Sequence, residues 1–248
     1  MFWKANQIFS LARMNDMNKR MVVLLLLCSV AMTGAWAQKH DFANWKRYAE
    51  KNAALGEPAK KERRVVLMGN SITEGWVKTH PEFFEKHGLI GRGISGQTSY
   101  QFLLRFREDV INLKPRVVVI NYGTNDIAEN TGPYDEDLTF GNVLSMVELA
   151  RYHKIRVILT SCLPAAGFRW RPSVTDAMEK IRRLNARVAA YAKANKIPYV
   201  DYFSAMLSAD GTGLDAAYAK DTPGVHPNAE GYAVMERLLL PVIQQSKK

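Results

Sequence analysis

The sequence predicts a three-layer α/β/α sandwich built on a five-stranded parallel sheet. Short runs of β-branched residues alternate with longer amphipathic stretches, which is the pattern of βαβ units. Each run is followed by a helix or by a loop leading to one. The 248 residues, 47% hydrophobic and 23% charged, have ordinary globular composition and need no second domain, internal repeat or low-complexity linker.

The elements follow in order. A helix is expected over 42–55. Val65-Val-Leu-Met68 is the first strand, 89–93 the second, and Val117-Val-Val-Ile-Asn121, the most apolar run, the third and most central. Arg156-Val-Ile-Leu-Thr160 and Tyr199-Val-Asp201 complete the sheet. Between them, helices are expected over 100–113, 140–153 and 176–195. In the last of these, Met178, Ile181, Leu184, Val188 and Tyr191 recur at three- and four-residue spacings and form one apolar face. A final helix is expected over 229–243, with irregular stretches at 127–139, 162–175 and 208–227. In such sheets ligands bind beyond the carboxyl ends of the strands, so reactive residues are sought there.

The N-terminus reads as a targeting segment. Lys19-Arg20 precede an apolar run from Met21 to Met32, and Ala35-Trp36-Ala37 supplies a small-x-small cleavage pattern. The expectation is a secretory signal cleaved after Ala37, which places the chain outside the cell or in the periplasm, with 38–248 as one catalytic domain. Met17 is a natural start for this signal, making 1–16 an upstream extension. The apolar run is shorter than the roughly 20 residues of a membrane span. Leu27 is a poor residue to precede a lipidated cysteine at Cys28. Removing 1–37 takes away four cations and one anion and lowers the net charge from +10 to +7. The remaining cations are dispersed among acids, which is a solvated surface rather than a nucleic-acid footprint. Cys162, the one cysteine left, lies in an apolar run and reads as a small core residue.

Four segments after strands carry possible chemistry. Ser71, in Gly69-Asn-Ser71-Ile-Thr-Glu74, is either a nucleophile or the first residue of a Ser-x-x-Glu capping box. Thr73 stands where the nucleophile elbow of α/β-hydrolases needs a second glycine. Gly91-Arg-Gly93-Ile-Ser-Gly96 matches a dinucleotide fingerprint. However, it lies in the second βα unit, and the next strand ends without an acid for a ribose hydroxyl. The other uses of Gly93 are a backbone N–H facing a reacting oxygen, or a plain turn. Asn125, in Gly123-Thr-Asn125-Asp126, offers an amide donor suited to an oxyanion hole or a routine turn; Asp126 would hold the loop. His226 precedes Pro227 at the start of the last helix and is either a base or a surface residue.

In this order, the Gly-Asn-Ser, Gly-Ile-Ser-Gly, Gly-Thr-Asn-Asp and Val-His-Pro-Asn blocks resemble those of the SGNH hydrolases, the GDSL-like lipase and acylhydrolase family. The resemblance spans 65–240. It implies a flavodoxin-like sandwich and a serine esterase mechanism that needs no metal or cofactor. Ser71 would be the nucleophile and His226 the base, with the Ser71 and Gly93 N–H groups and the Asn125 amide as oxyanion hole.

Two positions depart from the family pattern. Asn70 stands where many members have Asp. Pro223 occupies the position, three before the histidine, that usually holds the triad Asp, leaving Asp221 as the orienting acid and a backbone carbonyl as its alternative. Trp76, Phe168, Arg169, Trp170 and Arg171 are candidate substrate contacts, through stacking or by meeting a carboxylate. The expected substrate is a small-molecule or glycan ester carrying an acetyl or other short acyl group. Lysophospholipid or thioester hydrolysis is the alternative, as is a carbohydrate-binding protein on an impaired esterase scaffold.

Overall fold

The computed structural model describes residues 41–247, so the expected signal segment lies outside the described residues. Ala43 onward forms one compact unit. Its five strands, β1 (Val65–Gly69), β2 (Leu89–Gly93), β3 (Val117–Ile120), β4 (Arg156–Thr160) and β5 (Tyr199–Val200), pair in parallel in the order β2-β1-β3-β4-β5. The chain moves outward from β1 to β2, then returns to β3 on the other side of β1. That reversal opens a crevice between the carboxyl ends of β1 and β3.

Helices cover both faces: α1 (Ala49–Leu55), α2 (Ser71–Thr79), α3 (Pro81–His87), α4 (Ser99–Asp109), the single-turn α5 (Thr124–Ile127), α6 (Glu136–Tyr152), α7 (Ala177–Ala194), the short α8 (Tyr202–Met206) and α9 (Ala229–Lys247). Because successive strand residues face opposite ways, the sheet feeds two cores. Val66, Met68, Val118 and Ile120 pack with Phe102 and Phe106 of α4, Val143 and Met146 of α6, and Leu184 of α7. Val65, Leu67, Val117 and Val119 pack with Trp76 of α2, Phe83 and Phe84 of α3, and Leu239 and Ile243 of α9. Burial on both faces is why β1 and β3 read as continuous apolar runs rather than alternating ones.

Several boundaries differ from expectation for local reasons. Asn44 is left-handed (φ 54°), so the first helix opens at Trp45 as a 3₁₀ turn before α1. A capping box between Thr98 and Gln101 starts α4 at Ser99, and its tail is a separate 3₁₀ turn at Ile111–Leu113. The Asp135 carboxylate accepts from the Leu138 N–H at 2.9 Å, so α6 begins inside a stretch expected to be irregular. The last helix runs past Pro241 to Lys247.

Candidate active site

Ser71 occupies the first turn of α2, directly beyond β1. The cap of that helix is Asn70: its side-chain Oδ1 accepts from the Ile72 N–H at 3.0 Å and its carbonyl accepts from the Glu74 N–H at 3.0 Å. Asn serves as a helix cap as well as Asp does, so Asn70 satisfies the local backbone without using the Ser71 hydroxyl. Ser71 Oγ instead lies 2.9 Å from His226 Nε2. Glu74 does not close a capping box either. Its carboxylate accepts from the Ser95 N–H and hydroxyl and pairs with Lys78 and Arg47. Burial raises the Glu74 pKa, but these donors outweigh it and hold the group down at about 2.

His226 is held by the loop that ends at α9. Its Nδ1 lies 2.8 Å from Asp221 Oδ2, while Asp221 Oδ1 accepts from the Val225 N–H at 2.9 Å and from the His226 N–H at 3.3 Å. The extra residues Thr222 and Pro223 thus lie inside a turn that the carboxylate itself closes. Partial burial opposes the Asp221 charge, yet the imidazole and the two backbone donors lower its pKa below the ordinary value. The Lys220 N–H donates to the His226 carbonyl at 2.8 Å, and the buried Val225 anchors the turn to the core. Asn228 then caps α9 by accepting from the Gly231 N–H at 2.9 Å.

The other motif residues are buried. Asn125 is 3% exposed, and one of its two amide hydrogens goes to the Gln97 carbonyl at 2.8 Å. Asp126 is bonded to the Ser99 N–H and hydroxyl. Burial pushes its carboxyl up to about 6 against the pull of those donors. Gly93 has a steric reason to be glycine: a Cβ there would stand 2.3 Å from the Glu74 nitrogen and 2.6 Å from the Asn70 carbonyl oxygen, inside the first turn of α2. Gly123 has φ 90°, and a Cβ would meet Cys162 Sγ at 2.4 Å. Cys162 itself is buried, its thiol pKa is raised by that burial, and it donates to the Tyr122 carbonyl.

Beside these residues stands one that the sequence did not announce. Arg105 of α4 is fully buried. Its Nη2 donates to the carbonyls of Gly69 and Arg92, both at 2.9 Å, and its Nε to Gln97 Oε1 at 2.6 Å; Nη1 pairs with Asp109 at 2.8 Å. It therefore ties the carboxyl ends of β1 and β2 to Gln97, whose carbonyl holds Asn125. An Arg–Asp pair four apart on an amphipathic helix reads as surface charge, so no sequence signal marks it.

Two of the substrate candidates are corrected to core positions. Trp76 is 2% exposed, stacked between Phe83 and Tyr232 at 5.7 and 5.8 Å, with its N–H on Glu236. Phe168 is likewise 2% exposed and packs in the core on the α4–α7 side of the sheet. Both rings are satisfied by packing and are closed to a ligand. Arg171 is committed to the Ala128 and Glu129 carbonyls. Trp170 remains exposed, its N–H bonded to Asn130, which in turn donates to the Gly96 carbonyl. Arg169 is exposed and reaches to 3.8 Å from Asp221.

Ser71, Asp221 and His226 line a cavity of about 570 Å³ together with Lys78, Arg169 and Lys220. A second cavity, of about 530 Å³, opens at the amino ends of β4 and β5, among Lys154, Arg156 and Lys196. No histidine or carboxylate lines that one, and it lies at the edge of the sheet away from Ser71. The cavity beside Ser71 is therefore the candidate site.

Residues 67–234 match the model of the GDSL-like Lipase/Acylhydrolase family, and the chain belongs to that family. A solved structure of a candidate acylhydrolase from Bacteroides fragilis NCTC 9343 is 63% identical and superposes with a TM-score of 0.82, covering 84% of this chain and 99% of the other. A GDSL-like lipase from Bacteroides thetaiotaomicron VPI-5482 is 64% identical with a TM-score of 0.81, over 83% and 100% of the two chains. An uncharacterized lipoprotein of Bacillus subtilis is 27% identical over 150 residues; the match spans 50% of this chain and 58% of that protein.

Proposed function

We propose that this protein is a secreted serine esterase that removes short acyl groups, acetyl above all, from carbohydrate. The observation that carries the reading is the unbroken line Ser71 Oγ, His226 Nε2, His226 Nδ1, Asp221 Oδ2, with spacings of 2.9 and 2.8 Å at its two ends. Asp221, ionised at neutral pH, accepts from Nδ1–H and so leaves Nε2 as the acceptor facing Ser71. His226 takes the hydroxyl proton as Ser71 Oγ attacks the ester carbonyl, then returns it to the departing alcohol. Water, activated by the same imidazole, releases the acyl group from Ser71.

Negative charge develops on the carbonyl oxygen during both steps. The Ser71 N–H at the start of α2 and the second Asn125 amide hydrogen are the proposed donors, aided by the positive end of the helix dipole; the Gly93 N–H, expected as a third, points with its carbonyl away from β1 towards Tyr48. The chemistry calls for no metal or cofactor.

The nature of the cavity supports a short acyl group and a polar alcohol. Its lining beside Ser71 is mostly polar, with Lys78, Thr79, Ser95, Arg169 and Lys220, and Pro227 and Tyr232 are its larger apolar surfaces. The exposed Trp170, tied through Asn130 to the loop after β2, supplies a flat surface for a sugar ring. Hydrolysis of p-nitrophenyl acetate, butyrate and octanoate by the wild type and by Ser71→Ala tests the reading. The expected outcome is Ser71-dependent turnover that falls as the acyl chain lengthens. Absence of Ser71-dependent turnover would instead favour a binding protein on this scaffold.

A further inference from the structure

We infer that the site selects esters whose alcohol portion carries an anionic group, a carboxylate or a sulfate on the sugar, held by Lys78, Arg169 and Lys220. This inference rests on the esterase reading above and names the substrate class of the same site.

The three cations come from three separate parts of the chain and converge on the cavity that Ser71 and His226 line. Lys78 projects from the third turn of α2. Arg169 comes from the loop after β4, and Lys220 from the loop before α9. Their partners leave the cavity net positive. Three cations, Lys78, Arg169 and Lys220, line it against one carboxylate, Asp221, and Glu74 paired to Lys78 still leaves one positive charge over. Arg169 stands 3.8 Å from Asp221, beyond hydrogen-bonding distance, and that carboxylate is already committed to His226 and two backbone donors. Arg169 and Lys78 are largely exposed, with side-chain exposures of 64% and 68%, so neither is spent on packing.

Two consequences follow for an ester bound with its carbonyl at Ser71. An anion on the sugar meets cations on several sides of the opening, whereas a neutral sugar gains nothing from them. Arg169 lines the cavity beside Asp221, and its guanidinium presents a planar fork that suits a carboxylate or sulfate.

The test uses the full-length mature protein and three O-acetyl esters on the same ring hydroxyl: of a methyl glucoside, of the corresponding methyl glucuronide, and of the glucoside 6-sulfate. The quantity read is the ratio of kcat/KM for each anionic ester to that for the neutral one, at low salt and in 1 M NaCl, with Ser71→Ala as control. Exposed ion pairs contribute roughly two- to fivefold each, so a ratio of about tenfold or more is expected at low salt. It should fall several-fold in 1 M NaCl, where the screening length shrinks to about 3 Å, and also in a Lys78→Gln/Lys220→Gln double variant. A preference for either anion supports the inference, and the two arms tell which chemistry the site prefers. Ser71-dependent turnover with a ratio near one, or a ratio that salt and the double variant leave unchanged, overturns the anion preference alone. Turnover that survives Ser71→Ala on every ester strikes the esterase reading instead.

Discussion

The two regions that carry the motif residues are built differently. The region of Gly93 and Asn125 lies within the packed end of the sheet: Asn125 is 3% exposed, and Gly93 is fitted against the first turn of α2. The region of His226 is a loop in which the side chains of His226 and Asp221 retain 29% and 18% of their exposure. The first is fixed by core packing and by Arg105; the second is fixed by a carboxylate that closes its own turn. Damage to the buried region should therefore change stability along with any chemistry it serves, and damage to the loop should change chemistry alone.

The largest effect that separates the two regions is expected from Asp221→Ala. Loss of the orienting acid in a serine triad costs on the order of 10⁴ in turnover, while a partly exposed loop side chain contributes little to the global fold. Steady-state kinetics on p-nitrophenyl acetate should show that drop with a melting temperature within a few degrees of wild type. Near-full activity would instead assign the orientation of His226 to a backbone carbonyl. In the buried region, Asn125→Ala should lower kcat by about 100- to 1000-fold if its amide serves as the proposed oxyanion donor. It should also lower the melting temperature, because the buried Gln97 carbonyl loses its donor at a cost of about 1–3 kcal/mol. An Asn125→Ala protein with unchanged stability would erase the contrast between the two regions.

The smallest effect concerns pH. Asp126 holds its proton up to about 6 in the folded protein, against an ordinary value near 3.8. An acid that binds its proton more tightly when folded contributes stability that grows as pH falls from about 6 towards about 4. The stability difference between wild type and Asp126→Asn should thus shift in favour of wild type by up to about 3 kcal/mol as pH falls across that window, read as a change in the gap between their melting temperatures. Thermal melts at pH 7, 6, 5 and 4 measure it.

This contrast also explains what the sequence disclosed. The strands were legible because β1 and β3 are buried on both faces and leave uninterrupted apolar runs. The helices were legible where one face is apolar, as in α7. Ser71, Gly93, Asn125 and His226 stand out as short motifs because each follows a strand or starts a helix, where backbone geometry restricts the choice of residue. Arg105 does not stand out, because burial of an arginine depends on carbonyls that arrive from β1 and β2 through tertiary packing. Trp76 and Phe168 were misjudged for the same reason: an aromatic near a reactive serine looks the same in sequence whether it faces the cavity or the core. The choice between Ser71 as cap and Ser71 as nucleophile turned on its neighbour, since Asn70 supplies the cap and leaves the hydroxyl to His226.

The central claim is that Ser71 carries the acyl group between the two half-reactions. Rapid acid quenching of the wild type during turnover of p-nitrophenyl acetate, followed by peptide mass spectrometry, tests it most directly. An acetyl adduct confined to the peptide that holds Ser71, and missing from Ser71→Ala, is the expected result. Turnover without any adduct on that peptide, or an adduct on another residue whose loss abolishes activity, would contradict it.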